Sequence, residues 1–175
     1  MFLFFFAGCA AVDSLLTVEI SESSQVTVAQ GTLVESLLGD LGFGEFVSMN
    51  IAESQELANQ GVEPGDIEMV TLTVLELEAL EPDGADLSFI DSMTFYASSP
   101  DIEQVEIASA TSFPEAEAVV SFDREDVDLT PYVVSESMTL TTDVNAQRPE
   151  QDTLVEARFT LRVKATIQGV KNQID

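Results

Sequence analysis

Histidine and tryptophan are absent from the 175 residues, and cysteine occurs once. Without histidine the usual general base is missing, and with it the Ser- or Cys-based triads and the common zinc sites. A single cysteine closes no intramolecular disulfide, so the count reports no redox compartment. Cations are nearly as scarce: six Lys and Arg face 32 Asp and Glu, for a formal charge of −26. The first cation is Arg124, so residues 1–123 carry 23 carboxylates and nothing to offset them. Nucleic acids and anionic headgroups are both held through Lys and Arg, which disfavours either as a partner. No run approaches the ~20 apolar residues of a spanning helix. Glycine is missing between Gly84 and Gly169, leaving Pro, Asp, Asn and Ser to build the later turns. The segment Gly39-Asp40-Leu41-Gly42-Phe43-Gly44 has neither the spacing nor the Lys of a phosphate-binding loop. A carboxylate pair of glycosidase type survives these exclusions. Among 32 acids such a pair arises by chance, and no aromatic-rich stretch accompanies it, so the expectation is a protein that is not an enzyme and holds no cofactor.

What is present is alternation. Val155, Ala157, Phe159, Leu161, Val163, Ala165 and Ile167 share one parity, while Glu156, Arg158, Thr160, Arg162, Lys164 and Thr166 share the other. That pattern predicts a strand with a core face and a wet, positive face. Acidic neighbours across the ladder would stabilise it; a protected sheet edge or a docking stripe for an anion are the alternatives. Ala116, Ala118, Val120 and Phe122 repeat the period, as do Met138, Leu140, Thr142 and Val144, with shorter matches at Val18/Ile20, Val26/Val28, Met93/Phe95/Ala97 and Val105/Ile107. Between Met69 and Leu80 the phase slips: Val70, Leu72 and Val74 share a parity, then Leu75, Leu77 and Ala79 take the other, which predicts a β-bulge. Two short helices are expected early, over Thr32–Gly39 and Ser54–Gln60, the second with Leu57 and Ala58 turned inward. Turns are expected at Pro64-Gly65-Asp66, Pro82-Asp83-Gly84, Ser99-Pro100-Asp101 and Arg148-Pro149-Glu150. The predicted fold is mainly β: an antiparallel β-sandwich over 17–170, immunoglobulin-like in the loose sense but without that fold's Trp and Cys pair. A small barrel is the runner-up.

The apolar opening Phe2-Leu3-Phe4-Phe5-Phe6-Ala7 leads through Gly8 into Cys9. Ala7-Gly8-Cys9 resembles the lipobox of bacterial lipoproteins, in which the cysteine is acylated and becomes the mature N-terminus. The resemblance implies that residues 1–8 are a truncated signal-peptide remnant, that Cys9 is the lipid attachment site, and that 9–16 is a short tether. The apolar run is shorter than a signal h-region of about 7–15 residues and nothing basic precedes it, which points to a start further upstream; an ordinary free thiol is the other reading. About eight residues separate Cys9 from Thr17, at most roughly 28 Å, so an acylated Cys9 holds the domain close to the bilayer. Ala10 is similar to the residue that permits outer-membrane sorting, and Leu87–Thr166 resembles uncharacterised bacterial envelope proteins, a likeness that implies no activity. The acid excess resembles that of proteins from saline habitats.

One acidic cluster stands out: Asp123, Glu125, Asp126 and Asp128. Calcium takes six to eight oxygen ligands, and Asp126 and Asp128 share a direction if the chain is extended, although the spacing is not that of an EF-hand. Asp83, Asp86 and Asp91 could form a second acidic wall. The plainer expectation is that Asp128 caps the Leu129–Tyr132 turn. Two functions therefore stand side by side. One is a non-catalytic, lipid-anchored protein of the bacterial cell envelope, at the outer membrane, that binds or scaffolds an envelope partner through loops or a sheet edge. The other is a cation-responsive acidic module that binds calcium.

Overall fold

In chain order the elements are β1 (Leu15–Val28), a 3-10 turn (Ile51–Glu53), α1 (Gln55–Asn59), a second 3-10 turn (Pro64–Asp66) and β2 (Ile67–Glu81). Then follow β3 (Ile90–Ser99), β4 (Ile102–Ala110), β5 (Val119–Ser121), β6 (Asp123–Arg124), α2 (Thr130–Val133), β7 (Thr139–Ala146) and β8 (Thr153–Thr166). This computed structural model describes residues 15–31, 51–135 and 138–166; the Thr32–Gly39 helix, Lys171 and Cys9 lie outside them. Two antiparallel four-stranded sheets form, in the orders β1-β8-β2-β5 and β6-β4-β3-β7. They enclose one apolar cluster, and the fold is the mainly β, sandwich-like arrangement that the alternation predicts.

β8 is the spine of the first sheet. Val155, Ala157, Phe159, Leu161, Val163 and Ala165 are all buried, as a period of two requires. β8 pairs along its whole length with β1, from Leu15 opposite Thr166 to Val28 opposite Thr153, and its other side pairs with β2. A strand with neighbours on both sides is not an edge. Its outward arginines meet acids: across the ladder Arg158 contacts Glu78 at 2.5 Å and Glu76 at 3.9 Å and Arg162 contacts Glu19 at 3.0 Å, while along β8 itself Arg158 contacts Glu156 at 3.6 Å. These arginines are occupied.

The phase slip in β2 is a bulge. Register shifts between Leu72 and Val74, where Thr73 Oγ1 donates to the Thr160 carbonyl at 3.1 Å. Val70 and Leu72 before the bulge, and Leu75, Leu77 and Ala79 after it, all reach the core. One extra residue reverses the parity that faces inward.

Two sequence expectations need correction. The strand expected over 115–123 contracts to Val119–Ser121, because Ala116 sits in a turn at φ +63° and the chain then changes sheets at Phe122. Phe122 donates its amide to Leu75 of the first sheet, while Glu125, three residues on, donates to Ile107 of the second. Its ring is buried edge-on against Phe95 at 5.2 Å and Phe113 at 6.1 Å, which ties the layers together. Ala58 of α1 faces solvent; Leu57 alone of that helix is buried, and Ser54 caps it, accepting from the Leu57 amide. Consecutive helical residues point about 100° apart, so turning Leu57 into the core carries Ala58 out of it.

Candidate functional site

The interior leaves little room for a ligand. Among the described residues, the void between the sheets near Leu72, Phe95, Leu129 and Phe159 is about 10 Å³, the scale of one water molecule. Among the described residues an open cleft of about 850 Å³ lies at one end of the sandwich, within the size range of small-molecule sites.

The register explains its position. Val28, Glu81, Ile90, Ala110, Ala146 and Thr153 all end or begin strands at the same end, so the loops 82–89, 111–118 and 147–152 converge there. Two of the predicted turns, Pro82-Asp83-Gly84 and Arg148-Pro149-Glu150, belong to these loops; alternation locates turns but not their meeting.

Hydrogen bonds fasten each wall. The Asp86 carboxylate accepts from the Ser88 amide at 3.0 Å, the Ser88 hydroxyl at 2.7 Å and the Ala116 amide at 2.7 Å. It thereby clamps the loop after β2 to the turn before β5 and holds Ala116 in its left-handed conformation, which costs an Ala roughly 1 kcal/mol. The Ser88 hydroxyl, then the Ala116 amide and the Ser88 amide, hold the Asp86 carboxyl below its ordinary value, against a smaller opposing push from burial. The third wall is tied at both ends. Gln147 donates its amide to the Phe89 carbonyl at 2.6 Å, and Gly31 donates to the Pro149 carbonyl at 3.0 Å. Gln30 donates its amide to the Asp152 carboxylate and its side chain to the Glu150 carbonyl.

The side chains that face the cleft differ in kind. Phe113 and Pro149 are buried and Phe89 is half-buried, giving apolar ground; Glu115, Glu150, Gln151 and Arg148 are exposed around it. Arg148 makes no ion pair or hydrogen bond with any described residue, in contrast to Arg158 and Arg162, whose guanidinium groups are held by carboxylates, and to Arg124, which donates to the Leu72 carbonyl at 3.3 Å. A guanidinium carries five N–H donors, so Arg148 brings unused donor capacity to a fastened surface.

The acidic cluster of residues 123–128 lies elsewhere, where the chain leaves one sheet for the other. Asp123, Glu125, Asp126 and Asp128 are all exposed. Among the described residues no three Asp, Glu or Cys side chains come together as a metal would need. Asp128 acts locally, since one of its oxygens accepts from the Thr130 amide at 2.9 Å and from the Thr130 hydroxyl at 2.5 Å, at the start of α2. Burial pushes its carboxyl up most, but hydrogen bonds from Thr130 and the Val70 amide together bring it below the ordinary value. Asp86 is engaged with Ser88 and Ala116, and Asp91 accepts from the Gln147 side chain at 3.3 Å, both on the cleft side. Comparison with family profiles, curated proteins and solved structures finds no match to this chain.

Proposed function

We propose that the protein is a non-catalytic binding module of the bacterial cell envelope, anchored to the outer membrane through an acylated Cys9 and offering its end cleft to an envelope component. One observation supports this above the others: β1 runs the full height of the sandwich, with Leu15 at one tip and the cleft beside Val28 at the other. Leu15, the first described residue after the proposed anchor, pairs with Thr166; Val28 pairs with Thr153, which lines the cleft. Fourteen strand residues separate the ends by about 45 Å. A lipid on Cys9 therefore leaves the cleft facing away from the bilayer, in reach of soluble or wall-bound material. The fastened walls fit the same reading, since a site that is already ordered loses little entropy on binding.

Fractionation of native-host cells tests the anchor. Wild-type protein is expected with the membranes, with a mass that shows residues 1–8 removed and Cys9 acylated, whereas Cys9→Ser is expected in the soluble fraction. Recovery of an unmodified chain with residues 1–8 attached would overturn the proposal.

A further inference from the structure

Taking the protein as a binding module with the cleft as its site, we infer that the cleft receives a saccharide end that carries a single carboxylate, with Arg148 as the residue that recognises the acid. Arg148 is the one cation that lines the cleft, and it is exposed and unpaired among the described residues. A planar guanidinium matches a carboxylate through two parallel N–H donors. The groups around it suit hydroxyls: Glu115, Glu150, Gln147 and Gln151 offer carboxylate and amide oxygens that accept from O–H donors, while Gln151 also has an amide N–H₂. The half-buried Phe89 ring gives apolar ground for the C–H face of a sugar.

Charge sets the limit on the ligand. A chain of net charge −26, with Glu115 and Glu150 lining the same cleft as the arginine, repels a polymer charged at every unit. One carboxylate on an otherwise neutral saccharide meets Arg148 at short range and adds little to that repulsion. Peptide carboxyl ends are less well served, because acceptors outnumber donors around Arg148, which suits a ring of hydroxyls better than a run of amides with one carbonyl for every N–H.

The test uses the full-length chain in detergent and a panel of oligosaccharides that end in one uronic acid, each beside its methyl ester, which keeps the shape and removes the charge. Binding is read by calorimetry at about 0.1 M salt. At least one free acid is expected to bind at least about tenfold more tightly than its ester. Arg148→Ala should erase that difference, while Arg162→Ala, which removes the same charge far from the cleft, should preserve it. Melting curves of both variants confirm that they fold. Equal binding of acid and ester, an acid preference that survives Arg148→Ala, or no binding across the panel would each overturn the inference. So would capture of carboxyl-terminal peptides in preference to the sugars. Membrane partitioning through Cys9 is unaffected by any of these outcomes, so failure here and failure of the anchor reading are separable.

Discussion

Asp86 carries the largest burden of any single side chain in the cleft. It is charged, accepts three hydrogen bonds from two loops, and keeps Ala116 at a positive φ. Replacing it with Ala leaves two amides without their acceptor and frees the turn, at a cost of about 1–2 kcal/mol by urea unfolding at pH 7. The pH dependence has a definite sign. Folding lowers the Asp86 pKa, so its contribution is complete above the unfolded value near 3.8 and is lost as pH falls through the lower folded value. As pH falls below about 3.8 the wild type should therefore progressively lose its advantage over Asp86→Ala, and a gap that stays constant with acidification would show the carboxylate to be idle. The bonds from Ser88, two residues on, are of a kind that spacing can suggest, but the clamp on Ala116 is not legible in the sequence. Ala116 fits the alternation of Ala118, Val120 and Phe122, yet a hydrogen bond from a residue thirty positions away holds it in a turn. Asp128 is nearer to its spacing, because its partner Thr130 is two residues on, although the helix N-cap is Leu129 and Asp128 makes a side-chain turn just before it and not the cap itself.

β2 and β8 show what a strand needs from its sequence. β8 keeps one parity throughout, and its burial follows without exception from Val155 to Ala165. β2 breaks parity at Thr73, and the break is legible because five buried side chains disagree about which face is inward. Deleting Thr73 removes the extra residue and turns Leu75, Leu77 and Ala79 towards water, or else pulls Val70 and Leu72 out. Loss of two or three such side chains from the core costs about 5 kcal/mol, comparable to the whole stability of a small domain. Circular dichroism of the deletion variant is expected to show an unfolded or loosened chain at 25 °C, and a cooperative native-like melt would show that the register is not set by the bulge. The passage through Phe122 is what a two-residue period conceals. Alternation continues across it, so nothing local marks the residue at which the backbone exchanges Leu75 of one sheet for Ile107 of the other.

Across the molecule the net charge is −26, and among the described residues the ion pairs are confined to Arg158 and Arg162. Those between β8 and its neighbours are partly exposed and are worth at most about 1 kcal/mol each, so general repulsion outweighs them. Added salt should raise the melting temperature by about 5 °C between low ionic strength and 1 M, because screening relieves the repulsion more than it weakens the pairs. Calcium and sodium compared at equal ionic strength extend the test. Equal shifts are expected from a solvated acidic surface; a clear excess for calcium that disappears when Asp126 and Asp128 are replaced by Asn would show that Asp123, Glu125, Asp126 and Asp128 gather a metal. The sequence by itself determined most strands, most turns, the bulge and the net charge, since each depends on neighbours within a few residues or on a sum over the chain. Only the tertiary structure decided which strands pair, where the chain crosses between layers, and that three distant loops and an unpaired Arg148 form a cleft at the end remote from Leu15. Those relations depend on contacts between residues far apart in the chain, and alternation along one strand carries no record of its partner.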